Sequence, residues 1–263
     1  MTNPVFLVPE VRVGSGALQA LADAAAPGAF LLLEGSEARH AQKVQRLREG
    51  EELDLVDGRG TRASVVVRSR RDEPMRVEVT SVTIEEPSLP RLVLVQALAK
   101  GGRDEQAVEA ATEVGVDTVV PWAASRSVVR WEGKKAEVAR ERWQRVAAAA
   151  AKQARRSTVP SVEQMETSSE LSATVGRITG EGGVVLICHE SASAPYSQVV
   201  AGLLKDVPSV AVIVGPEGGI TDDELQALTA AGGRIVQLGS TVMRTSTAGP
   251  AALVALNLSL GRW

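Results

Sequence analysis

Two glycine-bearing segments near the C-terminus set the strictest condition on how this chain can fold. The first reads Val212-Ile213-Val214-Gly215-Pro216-Glu217-Gly218-Gly219-Ile220, an apolar run of strand type that ends in a tight turn. Thr221-Asp222-Asp223-Glu224 follows directly, and a threonine with glutamate three positions on is the signature of a capping box, so the turn launches a helix. The second segment, Leu238-Gly239-Ser240-Thr241-Val242-Met243-Arg244-Thr245-Ser246-Thr247-Ala248, repeats the layout: Ile235 to Leu238 is strand-like, Gly239 breaks the run, and a small-residue, alanine-rich stretch follows. Strands that each end in a loop ahead of a helix are the parts of an α/β sheet, and loops at such strand ends are where these sheets build a pocket.

The chain upstream divides by pattern. Leu92 to Leu98 reads as a continuous apolar run of buried-strand type, Glu105 to Val114 has a helical pattern, and Thr118-Val119-Val120 is a short strand. Strand, helix, strand is the unit of a parallel sheet, and Val184 to Cys188 adds another buried strand. Before residue 72 the runs are shorter: Phe30 to Leu33, Glu52 to Val56 and Arg62 to Val67, separated by turns such as Asp57-Gly58-Arg59-Gly60. Residues 1–72 therefore read as a small β-rich domain and residues 73–90, with Pro74, Pro87 and Pro90, as one strand and a linker. Residues 91–263 read as the α/β domain.

Composition narrows the function classes. A net charge of −3 argues against a uniformly basic nucleic-acid binder, and an aromatic content of 3% leaves no broad stacking platform for single strands. Contact with RNA would rest on local charge. Two segments supply it: a helical stretch from Glu37 to Arg48, which carries Arg39, His40, Lys43 and Arg46, and a long helix from Lys134 to Arg156. The long helix holds Lys134, Lys135, Arg140, Arg142, Arg145, Lys152, Arg155 and Arg156 against only Glu137 and Glu141. Such runs are either phosphate contacts or solvated faces. The single cysteine, Cys188, excludes an internal disulfide and fits a reducing cytosol, and no signal peptide or membrane span is expected. The two histidines, His40 and His189, fall in different domains, so no metal site is expected, and neither a nucleophile elbow nor a Walker loop is present.

The two C-terminal segments resemble the signature loops of the SPOUT methyltransferases, and the whole chain is most similar to the ribosomal RNA small-subunit methyltransferase E family. Lys100-Gly101-Gly102-Arg103-Asp104-Glu105 through Glu113-Val114-Gly115-Val116 matches the family's "Lys-Gly-Asp-Arg…Glu-Leu-Gly-Val" motif at Lys100, Gly101, Arg103, Glu105, Glu113 and Gly115. His40, Arg46 and Gly50 match a "His…Val-Leu-Arg…Gly" pattern of the N-terminal module, Gln153, Arg156 and Pro160 match "Gln…Arg…Pro", and His189-Glu190 a "His-Glu" pair. Ser125-Arg126-Ser127-Val128 resembles a segment that faces the substrate. The chain departs from the pattern at Gly102, Ala110, Lys152 and Ser246.

The resemblance implies an N-terminal PUA-like β-barrel that binds RNA and a C-terminal α/β domain tied in a deep trefoil knot. It further implies a cytoplasmic homodimer that uses S-adenosylmethionine to methylate N3 of a uridine in 16S rRNA, free or in the assembled small subunit. Short glycine loops suit that donor, which brings its own electrophile and asks the protein for backbone hydrogen bonds and apolar walls. The donor contacts then fall on Val214 to Ile220 and on Leu238, Gly239, Ser240, Met243, Thr245 and Ala248, with Ile220, Leu238 and Met243 as walls. RNA contacts fall on Arg39, His40, Lys43, Arg46, Arg103, Arg126, Arg155 and Arg156. Arg244 cannot be a base, because a guanidinium stays protonated, but it can hold a phosphate or the developing uracil anion. Glu217 serves either as a base or in the turn or a dimer contact, and His189 either in chemistry or in structure. The departures also leave open a catalytically idle ribosome-assembly factor on the same fold. A nicotinamide enzyme is disfavoured, since no Gly-x-Gly-x-x-Gly follows the first strand of the α/β region.

Overall fold

The computed structural model, which describes residues 3–14, 16–70, 73–192, 195–201 and 206–263, separates the chain into two units. One is Met1–Pro87 with Ala151–Val159, the other Ser88–Ala150 with Pro160–Trp263. In the first, β1 (Val5–Leu7), β2 (Glu10–Val13), β3 (Leu18–Ala20), β4 (Phe30–Leu32), β5 (Glu52–Val56), β6 (Thr61–Val67) and β7 (Arg76–Ile84) form a single sheet in the order β1-β5-β6-β7-β4-β2-β3. Among the described residues, β1 and β5 pair in parallel and the other strand pairs of this sheet are antiparallel. Helices α1 (Leu21–Ala24) and α2 (Gly35–Arg39) complete it, the second running into a π-helical turn over His40–Val44.

The period-two pattern of a one-sided strand is plain in β6, where Thr61, Ala63, Val65 and Val67 are buried and the residues between them are not. They face a core of Phe6, Leu31, Leu53, Leu55, Met75 and Val77. Strand β7 pairs with β4 on one side and β6 on the other, so this unit runs past the boundary expected at residue 72. Residues 151–159 fold back on the Asp57–Gly60 turn. The Val159 N–H donates to the Gly58 carbonyl at 2.9 Å, the Gly60 N–H to the Ser157 carbonyl at 3.1 Å, and Arg62 Nη2 to the Arg155 carbonyl at 2.7 Å.

The second unit is a sheet of parallel strands: β8 (Arg91–Ala97), β9 (Thr118–Ala123), β10 (Ser161–Val162), β11 (Glu166–Thr167), β12 (Val184–Cys188), β13 (Ser209–Val214) and β14 (Arg234–Val236). The order is β10-β9-β8-β13-β12-β14, with β11 also beside β9. Helices α3 (Arg103–Glu113), α4 (Lys134–Gln153), α5 (Ser168–Gly180), α6 (Tyr196–Ala201), α7 (Asp222–Ala230) and α8 (Thr245–Ser259) connect and cover the strands. Because both faces are covered, the central strands are buried almost without interruption, as in β13 from Val210 to Val214. Leu92, Leu94, Val210 and Val212 meet α3, α4, α6 and α8, whereas Val95, Ala97, Ala211 and Ile213 meet α5 and α7.

Helix α8 is apolar and comes so close to β8 that a Cβ on Gly249 would stand 2.8 Å from Leu94 Cδ1. No helix among the described residues is long and apolar enough to cross a membrane. Parallel strands end along one edge, and at β8 the connections turn from one side of the sheet to the other. Such a switch point opens a crevice beyond the carboxyl ends of the strands.

Candidate active site

The crevice is there. A cleft of about 720 Å³ opens beyond the ends of β12, β13 and β14, lined by Cys188 to Glu190, by Val214 to Ile220, by Gln237 to Thr245, and by Arg103, Arg126 and Ala248. Every donor-contact position expected from the sequence is on that wall.

The first loop is shaped by its glycines. Gly219 has φ = 77°, a left-handed backbone that a side chain resists, and a Cβ on Gly215 would fall 2.7 Å from Ile220 Cγ1. Gly219→Ala is therefore expected to lower unfolding free energy by about 1 kcal/mol in urea titrations. The loop is also tied from outside. Arg126 Nη1 donates to the Gly218 carbonyl at 3.1 Å, while Glu217 Oε1 accepts from Arg103 Nη1 at 2.9 Å and from the Lys100 N–H at 3.3 Å. Burial pushes the Glu217 carboxyl up, but its own backbone N–H, Arg103 and Lys100 outweigh that and hold it below the usual range.

Below the turn, Thr221 and Glu224 form the expected capping box of α7. Glu224 does more than cap. It is 5% exposed, and Oε1 accepts from the Ser125 N–H at 2.7 Å and Ser168 Oγ at 2.6 Å, while Oε2 accepts from the Thr221 N–H at 3.0 Å and Thr221 Oγ1 at 2.9 Å. Burial would raise its carboxyl. The hydrogen bonds from Ser168, Thr221 and Ser125 dominate and bring it down to about 2.

The second loop leaves β14 at Val236, two residues before the strand end expected at Leu238. Among the described residues, no hydrogen bond engages the backbone N–H groups of residues 238–243. A Cβ on Gly239 would meet no atom within 4 Å. Arg244 caps α8 with no side-chain hydrogen bond to the helix, and among the described residues nothing pairs with its exposed guanidinium. Next to it, buried Thr245 donates from Oγ1 to the Gly215 carbonyl at 2.8 Å and accepts from Gln96 Nε2 at 2.8 Å, a direct link between the two loops. Gln96 sits within the apolar run from Leu92 to Leu98, where pattern alone does not single it out. A polar residue in a strand buried on both faces is the signal that marks it.

At the end of β12, the His189 N–H bonds the Val236 carbonyl at 3.0 Å, and His189 Nδ1 lies 2.7 Å from Ser191 Oγ. Glu190 is exposed on the cleft rim. Burial pushes the Cys188 thiol up to about 12, which leaves it unreactive at neutral pH.

The expected RNA contacts separate into two groups. Arg103 and Arg126 belong to the cleft wall, whereas Arg39, His40, Lys43, Arg46, Arg155 and Arg156 lie in the N-terminal unit. The stretch from Glu37 to Arg48 is not one helix, because Arg46 takes φ = 54° just past the π-helical turn. Helix α4 likewise ends at Gln153, short of the end expected at Arg156, and Arg155 just beyond it takes φ = 56°. Both side chains are exposed at positions where glycine is the easier residue.

His40 packs edge-on to Phe6 at 5.7 Å, and its Nδ1 lies 3.1 Å from Lys152 Nζ. Lys152, one of the departures from the family pattern, also pairs with Glu37 at 2.7 Å. The basic surplus of α4 is smaller than its own sequence suggests, since Arg142 pairs with Glu105 and Lys152 with Glu37, both outside the helix.

Comparison with known proteins agrees with this geometry. Residues 85–257 match the model of an RNA methyltransferase domain, and residues 33–78 that of an RNA methyltransferase PUA domain. The chain is 39% identical over 236 residues to ribosomal RNA small subunit methyltransferase E of Mycobacterium bovis, covering 90% of this chain and 89% of that one. Its identity to the Bacillus subtilis protein of the same name is 31%, over 86% of this chain and 88% of that one. Among solved structures, a Legionella pneumophila protein in complex with S-adenosylmethionine superposes with a TM-score of 0.78 at 25% identity, covering 98% of both chains.

Proposed function

The chain belongs to the ribosomal RNA small subunit methyltransferase E family, and from that premise we propose that it transfers a methyl group from S-adenosylmethionine to N3 of one uridine in 16S rRNA. The observation that carries this reading is the joining of Gly215–Ile220 and Leu238–Thr245 in one cleft. The residues present suit the donor: the backbone N–H groups of residues 238–243 are open to a ligand, Ile220, Leu238 and Met243 offer apolar walls, and the space at Gly239 is clear. When bound there, S-adenosylmethionine supplies the electrophilic methyl group.

The protein's own part is placement and charge. Uridine N3 must lose its proton, and negative charge then spreads onto the uracil oxygens. Arg244, exposed and unpaired beside the cleft, is the cation suited to that charge. Glu217 is engaged by Arg103 and Lys100, which suits it to holding the turn. The basic side chains Arg39, Lys43, Arg46 and Arg155, which have no partner among the described residues, suit the N-terminal unit to RNA phosphates. The same reading takes the chain as a cytoplasmic homodimer with a knotted C-terminal domain, and exposed apolar side chains such as Val242, at 83%, and Val128, at 73%, are available to such a contact.

Two measurements test the reading. Calorimetric titration should show S-adenosylmethionine binding, and mass spectrometry of 16S rRNA should show one methylated uridine that is absent when the gene is deleted. Donor binding without that methyl group would favour the idle assembly factor. Gly239→Ala should leave folding unchanged, because no protein atom is in the way, and raise the donor Kd about tenfold by filling the cleft.

A further inference from the structure

Gln96 is the polar residue in the middle of the most buried part of the α/β sheet. It is 0% exposed, and β8 sets it between Val214 of β13 and Pro121 of β9. Its Nε2 donates to Thr245 Oγ1 at 2.8 Å and to the Ala97 carbonyl at 3.1 Å, using both amide hydrogens. The orientation of the amide follows from these partners, because a flipped side chain would turn its oxygen against the Ala97 carbonyl, which has no proton to give. Thr245, having accepted from Gln96, has one hydroxyl hydrogen left, and it goes to the Gly215 carbonyl at 2.8 Å. The chain of hydrogen bonds therefore runs one way, from the sheet through the first residue of α8 to the turn after β13. Gln96 Oε1 is left buried with no partner among the described residues. The side chain thus spends both amide hydrogens on Thr245 and Ala97 and leaves its own acceptor stranded, an arrangement that favours placement of the Thr245 hydroxyl over packing.

Resting on the methyl-transfer reading above, we propose that Gln96 is a positioning residue for that reaction: through Thr245 it locks the Gly215 turn to the start of α8 and so fixes where the Arg244 guanidinium stands. Arg244 immediately precedes Thr245 and among the described residues has no partner of its own. Its position therefore depends on how the first turn of α8 is held. The link also sets the spacing of the two loops, since Gly215 opens one and Thr245 closes the other.

The test compares Q96L, Q96E, T245S and T245V with the wild-type chain by thermal melting, S-adenosylmethionine titration, and kcat and KM for methyl transfer to small ribosomal subunits. Q96L removes the stranded acceptor but also two hydrogen bonds, effects of opposite sign, so it should melt close to the wild-type temperature. Its kcat should fall roughly tenfold or more, while KM for the RNA changes little. T245S keeps the hydroxyl and should retain clearly more kcat than T245V. T245V should match Q96L, and the double variant should be no worse than either single one, because all three break the same chain.

Q96E gives a readout that packing alone does not move. Its ionised carboxylate would take the Thr245 proton and leave the Gly215 carbonyl without a donor, whereas its protonated form can donate to Thr245 as glutamine does. The ratio of Q96E to wild-type kcat should therefore rise as pH is lowered from about 8 to 6.

A stable Q96L chain with wild-type kcat overturns the proposal. So does loss of activity that only follows a lowered melting temperature, with a pH-independent Q96E ratio. If the wild-type chain itself neither binds S-adenosylmethionine nor transfers methyl groups, the methyl-transfer reading fails first and takes the proposal with it.

Discussion

Arg244→Ala is expected to lower kcat for methyl transfer by about 10²- to 10³-fold, the range found when one donor to a developing anion is removed from a preorganised site. The reason lies in where this arginine stands. It caps a fifteen-residue helix at the end where the backbone dipole is positive, it forms no hydrogen bond to the helix, and no carboxylate among the described residues offsets it. A cation there costs stability by a few tenths of a kcal/mol up to about 1. Arg244→Ala should accordingly melt no lower than wild type, and its affinity for S-adenosylmethionine should change by less than about threefold. Arg244→Lys keeps charge but not the planar fork, and should fall between the two. The discriminating assay is single-turnover transfer to small-subunit rRNA at saturating donor. An alanine variant that retains wild-type turnover would leave the arginine no part in the chemistry.

Glu224→Gln should cost about 2 kcal/mol of folding stability at neutral pH. Four donors converge on the carboxylate from Ser125, Ser168 and Thr221, and an amide has one oxygen to offer them. Two donors would then face an NH₂ group in a site that is 5% exposed. The sign of the pH dependence follows. The folded carboxyl titrates at about 2, below its ordinary value of 4.5. Its contribution is therefore complete above the unfolded value and drains away as pH falls toward the folded one. Urea midpoints of wild type and Glu224→Gln should differ by a constant amount above about pH 5 and draw together as pH falls from 4.5 toward about 2. A gap that stays constant from pH 7 to pH 3 would mean that the carboxylate is not held as an anion.

Much of the cleft was legible because it is built from local signals. The Thr221–Glu224 capping box, the glycine turns and the apolar strand ahead of them each depend on neighbours a few residues away. The Thr167–Glu170 box that starts α5 carries the same signature and could have been read in the same way. What escaped depends on distant partners. β7 looks like a linker strand after Pro74 until β4 and β6 are known to flank it. The break at Arg46 and the early end of α4 at Gln153 carry no glycine to announce them. The charge of α4 reads as free until Glu105 is found beside Arg142 and Glu37 beside Lys152. Gln96 hid in an apolar run, since periodicity averages over the one residue that breaks it.

The registry of the α/β sheet also bears on how the protein comes into being. Its middle seam joins residues 91–96 of β8 to residues 209–214 of β13, so about four-fifths of the chain must be synthesised before the first of these strands meets its inner neighbour. During that interval the nascent chain holds an apolar edge with nothing beside it, and closing so wide a loop is slow. The last large piece of the interior, α8, emerges later still. A protein built this way passes through a long aggregation-prone stage on the ribosome, and its yield in a cell should respond to translation speed and chaperone supply more than its final stability would suggest.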